Sequence, residues 1–185
     1  SIDLEAGDLE VATVTGSGDL TVADLTGDNG TEGLSKFDAT GMSGALNITT
    51  GAQGIGSKDL TVLGGSGNDT LTVSGHTSTN ISVDGGGGND TISIALASTD
   101  TVAGGAGTDT LSTSTNLAST GSVTGFETLD LTGAVTQDMD FLSDNSITTV
   151  GVTGAVAAGF SDVSADVTNL DISATSTSAI TFDRK

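Results

Sequence analysis

Three stretches decide how this chain folds: Gly64-Gly65-Ser66-Gly67-Asn68-Asp69-Thr70-Leu71-Thr72, Gly85-Gly86-Gly87-Gly88-Asn89-Asp90-Thr91-Ile92-Ser93 and Gly104-Gly105-Ala106-Gly107-Thr108-Asp109-Thr110-Leu111-Ser112. They are near copies of one nonapeptide and begin 21 and 19 residues apart. Around them lie short runs that alternate apolar and polar residues, as half-buried strands do: Leu20–Val22, Leu46–Ile48, Leu60–Val62, Leu71–Val73, Ile81–Val83, Ile92–Ile94, Leu129–Leu131 and Leu170–Ile172. Strands this short, returning about every ten residues with turn residues between them, have the rhythm of a solenoid. Two strands and two turns make a coil of roughly 20 residues, so the three glycine turns fall on one edge with Asp69, Asp90 and Asp109 in register. An antiparallel sandwich built of hairpins is the alternative. The return of one turn type at coil length favours an all-β, parallel β-helix or β-roll solenoid.

Composition points the same way. Proline is absent and 28 glycines punctuate the chain, which argues against long helices. The one fragment with helical character is 137–143, where Met139 and Leu142 could share a face. No shift in composition marks a linker, so residues 1–185 read as one continuous segment, with the motif-bearing coils at about 60–113. Ser1 and Lys185 read as the ends of a piece of something longer. There is no cysteine, hence no disulfide and no thiolate metal site. No apolar run approaches the roughly 20 residues of a membrane span. The 24 acidic residues against four basic ones give a formal net charge of -20, which repels nucleic acid and anionic lipid and makes cations the natural partners.

The turns have the chemistry of a cation site. Glycines allow positive φ and carry no side chain, so backbone carbonyls can curl inward to ligand distance. Calcium takes six to eight oxygens at about 2.3–2.6 Å, and carbonyls with aspartate carboxylates supply them. The apolar eighth residue, Leu71, Ile92 or Leu111, returns into the core and anchors the turn. Affinity is expected to weaken as pH falls toward the ordinary aspartate pKa of about 3.9.

This Gly-Gly-x-Gly-x-Asp-x-apolar-x pattern, complete in all three copies, resembles the known calcium-binding β-helix repeat of RTX proteins. The resemblance implies Ca2+ ions between stacked turns, Asp69 and Asp90 flanking one and Asp90 and Asp109 the next. Carbonyl ligands would come from Gly64, Ser66, Gly85, Gly86, Gly87, Gly88, Gly105 and Gly107. The turns of the opposite edge, 75–80 and 97–100, lack the motif, so calcium is expected on one edge only. Degenerate relatives occur at 16–19 and at 54–59, where Lys58 competes, and the short turns at 41–44 and 125–127 are places where the ladder could extend. Residues 37–48 and 125–132 also resemble segments of bacterial surface-layer (S-layer) and other large exported β-strand-repeat proteins. That implies an extracellular, cell-surface structural segment, exported by a type I secretion route, that self-associates into a lattice or fibre and could meet cell-surface polysaccharide. A calcium-binding RTX module of a secreted adhesin, or of an exported polysaccharide-modifying enzyme or protease, is the alternative.

An enzyme is not expected within these residues. His76 is the only histidine and reads as an exposed turn residue; Tyr, Trp and Cys are absent. Aspartates are so abundant that no pair stands out as a glycosidase dyad. Phe37, Phe126, Phe141, Phe160 and Phe182 are read as core or cap residues rather than sugar platforms.

Overall fold

The computed structural model describes residues 2–3, 10–25, 34–50, 59–74, 80–117, 122–142, 145–154, 157–173 and 179–185. These form eighteen strands in three sheets, and every pairing given between strands is parallel. The first sheet stacks β1 (Ile2–Asp3), β3 (Leu20–Leu25), β5 (Leu46–Thr50), β7 (Thr70–Val73), β9 (Thr91–Ile94), β11 (Thr110–Thr113), β13 (Thr128–Leu131), β15 (Thr149–Val152) and β17 (Asn169–Ile172). The second stacks β2 (Val11–Gly16), β4 (Lys36–Met42), β6 (Leu60–Leu63), β8 (Ile81–Asp84), β10 (Thr101–Ala103) and β12 (Ser122–Thr124). The third contains β14 (Thr136–Asp138), β16 (Gly159–Val163) and β18 (Thr181–Arg184). Successive strands alternate between the first sheet and one of the others, which is the connectivity of a parallel β-solenoid and excludes the hairpin sandwich. All eight strands read from the sequence lie within these elements.

Stacking in register follows from the side-chain pattern. In the first sheet Ile48, Leu71, Ile92, Leu111, Leu129 and Val150 stand one on another, all buried. Facing them, Phe37, Val62, Val83, Val102 and Val123 form the matching column of the second sheet. A slip of one residue would turn either column outward, so the alternation fixes the register. Phe37, Phe126 and Phe160 fill the core as expected. Phe141 and Phe182 instead are exposed, at 56% and 36%. Phe141 lies on a 3-10 turn, Met139–Leu142, whose inward positions are taken by Met139 and Leu142. Phe182 sits on β18, with its ring 5.7 Å from that of Phe160.

The second sheet ends at β12 because the next coil is routed differently. The Asn116 Nδ2 donates to the Thr136 carbonyl and the Leu117 N–H to Gln137 Oε1, each at 2.9 Å, so residues 116–117 lie against β14. Against β12 lies Asn145, whose Nδ2 donates to the Val123 carbonyl at 2.9 Å.

Candidate metal centre

The segments leading from the second sheet to the first form one edge of the solenoid. Three of them, 64–69, 85–90 and 104–109, are the nonapeptide turns, and they stack as their spacing requires. Ser66 N–H donates to Met42 O, Gly87 N–H to Gly65 O, Ala106 N–H to Gly86 O and Gly88 N–H to Ala106 O, all at 2.9 Å. The Gly86 carbonyl, one of the expected ligands, therefore already accepts one hydrogen bond. Gly86 and Gly105 adopt φ of 97° and 107°, a region that a residue with a side chain rarely enters.

The motif aspartates are linked through the main chain, a feature the motif itself does not reveal. Asp69 N–H donates to Asp90 Oδ1 at 2.7 Å, and Asp90 N–H to Asp109 Oδ1 at 2.8 Å. Each carboxylate thus reaches back one coil and holds the backbone of the preceding aspartate. Asp69, Asp90 and Asp109 are 2%, 1% and 0% exposed. Leu46 N–H and Gly65 N–H satisfy both oxygens of Asp69, each at 2.8 Å. The Oδ2 atoms of Asp90 and Asp109, by contrast, are buried with no hydrogen-bond partner. A buried carboxylate oxygen without a partner is costly and calls for a cation.

A small cradle recurs beside each carboxylate. A Cβ on Gly64 would fall against the Gly85 carbonyl and 2.7 Å from Asp69 Oδ2. One on Gly85 would fall against the Gly104 carbonyl and 2.5 Å from Asp90 Oδ2, and one on Gly104 against the Gly125 carbonyl and 2.8 Å from Asp109 Oδ2. At each level a main-chain oxygen and a carboxylate oxygen converge on space that only glycine leaves open. Among the described residues no three His, Cys, Asp or Glu side chains group as metal ligands, so carbonyls must make up much of any donor set. Hard oxygen donors of this kind suit calcium.

The opposite edge supplies a contrast. Asp100 is equally buried, at 1% exposed, but accepts from Ile81 N–H on Oδ1 at 3.0 Å and from Ala97 N–H on Oδ2 at 2.7 Å. It is satisfied by the backbone alone, as Asp69 is and as Asp90 and Asp109 are not. Of the degenerate turns, Asp19 is exposed and accepts the Ala45 N–H at 2.9 Å. Most of 54–59, and residues 75–79 with His76, lie outside the described residues.

Burial pushes the Asp90 carboxyl from 3.8 up to about 6; the Asp69 N–H bond opposes this, and the charges of Asp69, Asp109 and Asp84 add to it. Burial also raises Asp109, opposed by the Asp90 N–H and helped by the charge of Glu127. A carboxyl whose folded pKa lies above its unfolded value destabilises the fold once ionised. The metal-free chain is therefore expected to gain stability as pH falls from 7 through 6 toward 4, while its calcium affinity declines over the same range because protons compete for Asp90. Thermal melts with chelator, paired with calcium titrations, check both. A metal-free melting temperature that only falls on acidification would contradict the assignment. Proton competition is thus expected to begin well above the roughly 3.9 of an ordinary aspartate.

Taken together, these features define a parallel β-solenoid with a cation-binding edge. A family model described as RTX calcium-binding nonapeptide repeat (4 copies) matches residues 61–75, 82–93 and 94–114. The chain carries RTX calcium-binding nonapeptide repeats, and such repeats bind calcium. No curated protein and no solved structure matches it. RTX repeats occur in secreted bacterial proteins.

Proposed function

We propose that this chain is a calcium-stapled structural segment of an exported bacterial cell-surface protein, an S-layer lattice protein, and that it is not itself catalytic. The observation that carries the reading is the pair of buried, unpartnered Asp90 and Asp109 Oδ2 atoms in stacked RTX turns. Asp69, Asp90 and Asp109 would hold ions between coils, with carbonyls drawn from Gly64, Ser66, Gly85, Gly86, Gly87, Gly88, Gly105 and Gly107. Calcium replaces the disulfides that a cysteine-free extracellular chain lacks. Ser and Thr at the outward positions of the strands, such as Thr61, Ser82 and Thr101, would offer a polar face to a neighbouring subunit or to cell-surface polysaccharide. Among the described residues no helix is long and apolar enough to cross a membrane.

A second reading, the calcium-binding module of a secreted adhesin, protease or polysaccharide-modifying enzyme, is favoured by one observation: the family match is confined to 61–114. Adding calcium to the metal-free chain while following particle size separates the two. The lattice reading expects compaction and then growth beyond the monomer as calcium rises. Compaction to a particle that stays monomeric at saturating calcium would favour the module.

A further inference from the structure

We propose a third calcium site, one level beyond those bracketed by the motif aspartates, between the 104–109 turn and the short turn Gly125-Phe126-Glu127, held by Asp109, the Gly125 carbonyl and Glu127. This rests on the reading of the motif turns as calcium sites. Glu127 lies outside the family match and outside the nonapeptide pattern.

Four observations converge on this level. Asp109 is 0% exposed and its Oδ2 has no hydrogen-bond partner. The Gly104 cradle has the same composition as the two before it, with Gly125 supplying the carbonyl that Gly85 and Gly104 supply at the earlier levels. Gly104 N–H donates to Thr124 O at 3.0 Å, as Gly85 N–H does to Ala103 O, so the main chain enters both turns alike. Finally, Asp109 N–H donates to Glu127 Oε2 at 2.8 Å, the bond that Asp90 N–H makes to Asp109 Oδ1. Glu127 is thus the fourth member of the carboxylate column.

The register brings an acidic residue to this point although the turn is shorter. The nonapeptide turn runs over 104–109, whereas here 125–127 suffices to connect β12 to β13, and the two carboxylate-bearing residues are 18 apart rather than the 21 and 19 of the motif coils. The shorter turn still delivers an acidic residue to the column, because Glu127 directly precedes Thr128, the register partner of Thr110, as Asp109 precedes Thr110. The column stops there. In the following coil a neutral amide takes over, Asn145 Oδ1 accepting the Phe126 N–H at 3.0 Å, and the 3-10 turn replaces the glycines.

Glu127→Gln tests the proposal, because the amide keeps an acceptor for the Asp109 N–H and removes only the charge. Calcium calorimetry on the whole chain should show one ion fewer than wild type, or one site weaker by roughly tenfold or more, since ligand charge tunes calcium affinity. The far-ultraviolet spectrum in calcium should be unchanged. Glu127→Asp, which keeps the charge but shortens the reach, should weaken the same site and serves if the glutamine variant does not fold. An unchanged isotherm for both variants, alongside loss of calcium in Asp90→Asn, would overturn the third site while leaving the motif sites intact. No saturable calcium binding by wild type would overturn the underlying reading instead.

Discussion

Removal of calcium at neutral pH is expected to melt the coils spanning residues 60–113, with loss of β signal in circular dichroism on addition of chelator. Three motif carboxylates are stacked there at the inter-strand spacing of about 4.8 Å, all almost fully buried. At an effective dielectric of about 20, two like charges that close repel by on the order of 3 kcal/mol. A domain has only about 5–15 kcal/mol in total, so a column of them without a counter-ion removes much of the margin. The core cannot compensate locally, because the fully buried phenylalanines, Phe37, Phe126 and Phe160, all lie outside these coils, and Leu, Ile and Val fill the centre. In a solenoid each coil contacts only its neighbours, so the loss should be regional. A β spectrum and melting temperature indifferent to chelator would remove calcium from the folding account.

Replacing Asp90 by Ala is expected to remove up to two calcium ions, whereas Asp69→Ala should remove about one. Asp90 belongs to the middle of the motif turns, with a cradle beside its own Oδ2 and its Oδ1 reaching the Asp69 N–H of the level before. If the Glu127 level holds an ion, Asp109→Ala also removes two; if the column ends at the motif, it removes one. Alanine additionally strips the Asp69 N–H of its acceptor, a loss of about 1–3 kcal/mol for a buried donor. Asp90→Asn keeps that acceptor and isolates the effect on the ions. Asp100→Ala is the matching control: it should cost stability, since Ile81 and Ala97 N–H lose their partner, without changing the calcium count. Equal calcium losses for Asp69 and Asp90 would count against shared, stacked sites.

Much of this was legible in the sequence because a solenoid turns linear period into spatial register. Copies of one turn 21 and 19 residues apart can meet on one edge only if the coil has that length, and alternation in runs such as Leu60-Thr61-Val62 says which side faces in. What escaped the sequence depends on main-chain hydrogen bonds, which carry no compositional mark. The reach of Asp90 and Asp109 back to the preceding aspartate N–H is one case. Asp100 is another: in 97–100 it looks like an ordinary polar turn, yet it caps its edge as completely as Asp69. The shift from the second sheet to the third was hidden for a different reason. Gln137 and Asn145, which route that coil, act through side-chain amides satisfied by backbone groups 20 and 22 residues away. Phe141 misled because spacing cannot tell an inward position on a 3-10 turn from an outward one.

The central claim is that calcium locks the aspartates of successive coils to one another. Amide hydrogen exchange at Asp69, Asp90 and Asp109, with and without calcium, measures this directly, because each of these N–H groups donates to the carboxylate of the next coil. The account predicts strong protection of all three in calcium and its collapse, together with that of Thr91 and Thr110 beside them, when chelator is added. Equal protection in both states would contradict it.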